Sequence, residues 1–349
     1  MSMRIAVDAM GGDHAPEHPV AGALLAAREL GAEIVLVGQQ DRIESILKDQ
    51  QAAPNIEIVH AEEVIGMDES PATALRRKRG SSIHKAAQLL RDGEVGGVVS
   101  AGNTGAVMIT AKLYAGCITG VDRPALSVVL PTLLGHMVLL DVGANIDPKS
   151  QHLVQFGVMG HFLSTQILGV QNPKVGLLSI GEEAGKGTEL IREGHAALSR
   201  APVNFIGNVE SNDIYNGSTD VVVCDGFTGN VVLKTSEAVV ETMLYLLRDE
   251  LTNSRRGKLG ARLARESFRN YRTRVDYAEW GGANLLGIKG SCVICHGRSS
   301  AKAIKNGIRV ALEYGNQRVS ERIEEALCGL ANGETDESPA PAVSSSSSD

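Results

Sequence analysis

The residues of this chain that can do chemistry fall at the ends of short β-branched runs. They are Asp8 with Gly12, Asn103 with Thr104, Asp141 with Asn145, and Glu182 with Gly185, Lys186 and Gly187. Asn208 with Glu210, Asp225 with Asn230, and His296 complete the set. The densest stretch is 207–234, GNVESNDIYNGSTDVVVCDGFTGNVVLK. It reads as strand, polar turn, strand, glycine turn, and then a helix from about Asn230 that carries Lys234. In open α/β sheets ligands bind beyond the carboxyl ends of strands, and glycines let backbone approach them. Amides, carboxylates and backbone N–H groups dominate, which suits holding an anion and polarising a carbonyl.

Several chemistries are excluded by spacing. No G-x-S-x-G elbow supports an acyl-serine, and no G-x-G-x-x-G follows the first strand. No H-E-x-x-H occurs and the cysteines and histidines lack zinc spacing, so neither metal nor cofactor is expected. GEEAGKGT at 181–188 is like a P-loop but has one residue too few between its glycines, and Gly187 stands where Ser or Thr would hold magnesium. A flexible glycine loop, a lysine and a helix start still favour an anion such as phosphate. CVICH at 292–296 has haem-attachment spacing, but Val293 and Ile294 make it read as a buried strand.

The elements that must position these groups alternate. Strand patterns at 4–9, 33–38 and 56–60 are separated by helical ones, which implies parallel pairing with helices on both faces. Runs 126–130 and 136–140 are close enough to pair as a hairpin, so the sheet is expected to be mixed. Ser81 is placed to cap a helix over 81–91. Residues 280–287, WGGANLLG, read as a glycine-rich loop. The expected fold is a three-layer α/β/α sandwich on a mostly parallel mixed sheet. One α/β domain is expected over 1–333, and the low-complexity tail 334–349 cannot bury a core.

Composition narrows the partners. With 3% aromatic residues and a net charge of −7, the chain is a poor nucleic-acid binder. No apolar run reaches the roughly 18 residues of a membrane span, and the start lacks a signal peptide, so a cytoplasmic location is expected. Basic residues gather locally. Arg76, Arg77, Lys78 and Arg79 end one helical pattern. Segment 253–274 holds Arg255, Arg256, Arg262 and Arg265 among eight cations, interleaved with Leu259, Leu263 and Phe268. The first run suits a solvated helix end or an anion-facing patch. The second suits a projecting helical hairpin, at about 245–280, for an acidic partner or an anionic membrane surface.

DAMGGDHAP, SAGNTGA, LLDVGANID, SIGEEAGKG, GNVESNDI, DGFTGNVVLK and GGANLLGIKG…HGRSS occur in order from about Ile5 to Gly315. Together they resemble the bacterial acyl-carrier-protein:phosphate acyltransferase (PlsX) family. The resemblance implies a fold related to phosphotransacetylase and isocitrate dehydrogenase, and a homodimer. It implies transfer of a long-chain acyl group from acyl carrier protein to inorganic phosphate. The acyl phosphate then passes to a membrane acyl-phosphate:glycerol-3-phosphate acyltransferase for phospholipid synthesis. On that chemistry, Lys186 with the Gly185 and Gly187 amides would bind phosphate or the phosphopantetheine phosphate. Asn208 or Asn230 would donate to the oxyanion, His296 would protonate the leaving sulfur, and Asp225 would orient Lys186 or Lys234. Other readings are a phosphotransacetylase-like enzyme acting on acyl-CoA, an oxidoreductase on the dehydrogenase relative's fold, and a non-catalytic scaffold for a carrier protein or lipid.

Overall fold

The structure, a computed structural model, describes residues 3–48, 50, 55–275 and 277–332. The tail 334–349 lies outside them, as do the side chains of Arg272 and Arg274. The strands are β1 (Arg4–Asp8), β2 (Glu33–Gly38), β3 (Ile56–His60), β4 (Gly97–Ser100), β5 (Ala125–Pro131) and β6 (His136–Leu140). β7 (Lys174–Leu178), β8 (Asn204–Val209), β9 (Val221–Val223), β10 (Ala283–Leu286) and β11 (Ser291–Ile294) follow. All lie in one sheet, in the order β3-β2-β1-β4-β11-β10-β5-β6-β9-β7-β8. The two outward-facing sides of the strands are apolar, as a sheet covered by helices on both faces requires.

One face packs under helices Ser82–Arg91 and Thr104–Ala115 through Ile83, Ala86, Leu90, Ala106, Val107 and Ala111. The other is covered by Glu17–Leu30 with Ala301–Asn316, and by Ser150–Ile167 with Val319–Asn332. This is the three-layer sandwich and mostly parallel mixed sheet expected from the alternation.

The centre of the sheet decides where the site can be. β5 and β6 form the expected antiparallel hairpin, with Val128 opposite Leu139. Residues 283–286, read from sequence as loop, instead form β10, antiparallel to both β11 and β5. The glycines that masked this strand serve its entry. Gly281 has φ +76°, and a Cβ there would stand 2.2 Å from the Gly307 nitrogen of helix Ala301–Asn316. Only glycine fits so close to another backbone. Because β6 is antiparallel to β5, the strands β6, β9, β7 and β8 run opposite to β1–β4 and β11. The strand ends carrying candidate residues therefore lie on two opposite edges, not one.

Two local expectations change. The helix expected from Asn230 starts at Gly226 and runs to Thr252. The Ser81 hydroxyl makes no capping bond; it meets His84 Nδ1 at 2.8 Å. Beyond Thr252, helices Arg255–Leu263 and Arg265–Val275 carry the basic run, with no buried residue in the first of them.

Candidate active site

Helix Gly226–Thr252 crosses the sheet face over β5 instead of standing clear of a strand end. Its seat is the loop after β6. Asp141, fully buried, accepts backbone N–H bonds from Leu126 (2.9 Å), Gly143 (3.3 Å), Ala144 (3.0 Å) and Asn145 (2.6 Å). The Asn145 amide also donates to it at 2.9 Å and to the Pro124 carbonyl at 2.8 Å. The Asn145 carbonyl in turn accepts from the Gly226 N–H at 2.7 Å. Asp225 is the N-cap: its carboxylate accepts from the Thr228 N–H at 2.8 Å and hydroxyl at 2.6 Å. Burial pushes the Asp141 carboxyl up, opposed by those hydrogen bonds.

Between this helix and the strands lies a cavity of about 340 Å³. Phe227, Asn230, Lys234 and Glu237 line it at three- and four-residue spacing, which is one helix face. Leu233 of the same helix joins them, and Leu126, Val128 and Leu130 of β5 line the opposite side with Trp280 and Ile294. Thr104, following β4, and His296 and Ser299, following β11, reach it from the other edge of the sheet. The walls are thus largely apolar, and a few polar groups sit among them.

Those polar groups have defined states. His296 Nδ1 accepts the Arg298 N–H at 3.1 Å, so the neutral ring carries its proton on Nε2 and is a hydrogen-bond donor there. Lys234 Nζ is 2.8 Å from Glu237 Oε2. Cys295 also lines the cavity, but burial pushes its thiol up to about 12. At neutral pH it is not a thiolate and is a poor nucleophile.

The sequence candidates thus separate. Thr104, Asn230, Lys234 and His296 share the cavity. Asp141, Asn145 and Asp225 build its seat. Asp8 and Asn103 organise the opposite edge. Asp8 is buried, accepts from Met10 N and the Ser100 hydroxyl, and has its carboxyl pushed up by burial. Gly12, at φ +103°, packs against the Gly297 carbonyl. Asn103 caps its helix and donates to the Met67 and Glu69 carbonyls. Glu182, Gly185, Lys186 and Gly187 sit on an exposed or half-exposed loop beyond β7, outside the cavity lining. Asn208 holds that loop by donating to the Glu183 carbonyl at 2.9 Å, and its own Oδ1 is buried without a partner. Glu210 is likewise outside the lining; its N–H donates to Asp213. Phe227, Glu237, Trp280 and Ser299 escaped the sequence reading. The i, i+3 relation of Phe227 to Asn230 was the signal available. Among the described residues no group of three or more His, Cys, Asp or Glu is placed to hold a metal, and no helix is long and apolar enough to cross a membrane.

Comparison with known proteins places this arrangement first in a fold and then in a family. A phosphotransacetylase from Streptococcus pyogenes superposes with a TM-score of 0.61 at 17% identity, covering 93% of this chain and 94% of that one. A branched-chain phosphotransacylase from Enterococcus faecalis gives 0.57 at 14%, covering 89% and 98%. These share the fold. A family model described as fatty acid synthesis protein matches residues 3–322. A phosphate acyltransferase of Heliobacterium modesticaldum is 51% identical over 329 residues, 94% of this chain and 98% of that protein. One from Pelotomaculum thermopropionicum is 49% identical over 325 residues, 93% and 95%. The chain belongs to this family, the phosphate acyltransferases.

Proposed function

We propose that the protein transfers a long-chain acyl group from an acyl-carrier-protein thioester to inorganic phosphate, giving an acyl phosphate for phospholipid synthesis. The observation that carries this is the cavity. An apolar trough suits an acyl chain, and its polar groups include a protonated imidazole nitrogen, an amide and an ammonium. The family's phosphate acyltransferase name supports the acceptor.

The chemistry needs no protein nucleophile. A phosphate oxygen attacks the thioester carbonyl carbon, giving a tetrahedral oxyanion. The C–S bond then breaks, and the electron pair leaves on sulfur. Asn230 faces the oxyanion and the His296 Nε2–H donates a hydrogen bond to the leaving thiolate, which takes up the proton released by the attacking hydrogen phosphate. An acyl-enzyme on Cys295 is disfavoured by its protonated thiol. Ser299 lacks a base in His296, whose accepting nitrogen is occupied by the Arg298 N–H. Phosphate is already anionic at neutral pH, so placement and oxyanion stabilisation are the tasks. Placement is worth about 7–11 kcal/mol at best, and one oxyanion donor about 3–4 kcal/mol.

Phosphate is met by Lys234 in the cavity, with Lys186 on the flanking loop as the second cation. On the family resemblance, the exposed side chains Val239, Met243, Leu246 and Leu247 of the long helix face a second copy in a homodimer. The hairpin's Arg255, Arg256 and Arg262, with Leu259 and Leu263 61% and 81% exposed, meet an anionic membrane surface. The product is delivered there to a membrane acyl-phosphate:glycerol-3-phosphate acyltransferase. The deciding experiment is thiol release from palmitoyl-carrier protein with and without phosphate. Release only with phosphate, and acyl phosphate trapped as a hydroxamate, is expected; no phosphate dependence overturns the reading.

A further inference from the structure

The mechanism leaves unused the basic run that follows Pro71. Helix Pro71–Arg77 starts at the rim of the cavity: a Cβ on Gly105 would meet Pro71 Cγ at 2.7 Å, and Gly105 adjoins the cavity residue Thr104. Asn103 fixes the approach to this helix through the Met67 and Glu69 carbonyls. Seven residues at about 1.5 Å each put the far end roughly 10 Å from that rim.

That far end is cationic without internal compensation. Residues 71–79, PATALRRKR, contain four cations and no acid. Lys78 pairs with Glu69, whose carboxylate also accepts the Gly66 N–H. Glu63 is occupied by the Gly80 N–H at 2.7 Å. Arg76, Arg77 and Arg79 are exposed and pair with no carboxylate among the described residues. Arg76 and Arg79 border a basin of about 520 Å³ with Leu75, Leu113, Tyr114 and Arg91. Its floor is built. Arg91 is held by Asp92 at 2.7 Å and lies 5.6 Å from the Tyr114 ring centroid, and buried His84 packs edge-on against the same ring. Leu113 is 62% exposed, and Ile109, one turn back on helix Thr104–Ala115, is 42% exposed. An apolar stripe bordered by unpaired arginines is the complement of an amphipathic helix with an acidic rim.

The geometry points to this surface, Arg76, Arg77 and Arg79 around Leu113 and Ile109, as the docking site of the acidic carrier protein that presents the acyl thioester. The assignment rests on the proposed acyl transfer and separates the carrier's surface from the hairpin. The carrier would seat its acidic helix on the arginines and send its pantetheine arm past Asn103 and Thr104 into the cavity. Lipid headgroups fit less well, since Leu113 lies within a built basin beside a cavity mouth and the hairpin already projects exposed leucines and arginines.

The test compares wild type with Arg76→Glu/Arg79→Glu and Leu113→Ser on two substrates: palmitoyl-carrier protein, and palmitoyl-pantetheine, which has the arm but no protein. The double variant is expected to raise KM for the carrier substrate by about tenfold or more, to flatten its salt dependence, and to leave palmitoyl-pantetheine turnover unchanged. Leu113→Ser is expected to raise the same KM without changing salt dependence. An unchanged carrier KM in the double variant overturns the docking site while leaving the transfer reaction intact. If wild type releases thiol from neither substrate, the transfer reading itself has failed. Loss of binding to phosphatidylglycerol vesicles with unchanged carrier KM assigns the surface to the membrane instead. A change in sedimentation mass with unchanged carrier KM assigns it to a second copy.

Discussion

The Gly229 backbone lies so close to the Asp141 carbonyl that a methyl group on Gly229 would stand 1.9 Å from that oxygen. Cys224 reinforces the same contact, its Sγ lying 3.4 Å from the Asp141 oxygen. This contact fixes how low the cavity helix sits on the loop after β6, and hence where Phe227, Asn230 and Lys234 point. Gly229→Ala cannot be relieved by a side-chain rotation, because the obstacle is backbone. It is expected to destabilise by about 3 kcal/mol and to remove activity before it abolishes folding. Urea unfolding and turnover measured together check this; wild-type values for both would remove Gly229 from the helix seat.

His296→Ala removes the donor assigned to the leaving sulfur. Loss of one hydrogen-bond donor to developing charge costs on the order of 10²–10³ in rate. A thiol leaving group needs little help, so the low end, a kcat about 10² lower, is expected, with the KM for phosphate nearly unchanged. His296→Gln, which restores an N–H, is expected to recover part of it. A leaving group of lower pKa, such as a thiophenol ester, is expected to narrow the gap between wild type and His296→Ala. Equal losses on both esters count against a hydrogen bond from His296 to the leaving sulfur.

Lys234 and Lys186 make different demands on a phosphate titration. Lys234→Ala is expected to raise the KM for phosphate about tenfold or more while leaving that for the acyl donor alone, as loss of a charged hydrogen bond of about 1.5–3 kcal/mol implies. Lys186→Ala is expected to raise it as well, by less, since its loop lies outside the cavity lining. Unaltered kinetics in Lys186→Ala would take that loop out of the reaction and leave phosphate to Lys234.

Stability is expected to fall as pH drops below neutrality. Burial holds His84, His152 and His161 below the ordinary imidazole value of 6.5. Between each folded value and 6.5 the unfolded chain binds more protons, so stability rises with pH through that window and is lost as pH falls. Asp8 and Asp141 act with the opposite sign in the window above 3.8. Their carboxyls are pushed up by burial, so the stability from protonating them is present at lower pH and lost as pH rises through their folded values. His161 Nδ1 has no partner in the core. His161→Phe is therefore expected to flatten the decline of Tm between about pH 7 and about pH 5. An unchanged slope would mean that His161 does not drive it.

The sequence by itself determined the layers. Continuous apolar runs such as VVV at β9 and EIVLVG at β2, each followed by a helical pattern, can bury both faces only in a helix-covered sheet. It also determined the inventory of chemistry: amides, carboxylates, one lysine-bearing glycine loop and His296, with no activated nucleophile. The cap role of Asp225 was not legible, because the helical pattern is read from Asn230 and the helix begins at Gly226. What only the tertiary structure decided was which of these groups meet. β10 was hidden because its entry is glycines, chosen for closeness to helix Ala301–Asn316 and not for strand propensity. Because β10 is antiparallel to both of its neighbours, β5 runs with β11, and the β5–β6 hairpin then reverses the second half of the sheet and sends the strand ends to two edges. Asn230 and His296 then line one cavity across a sheet face, while Lys186 lies outside that lining. Such contacts depend on strand direction, which a local pattern does not encode, because a strand and its reverse bury the same alternate side chains.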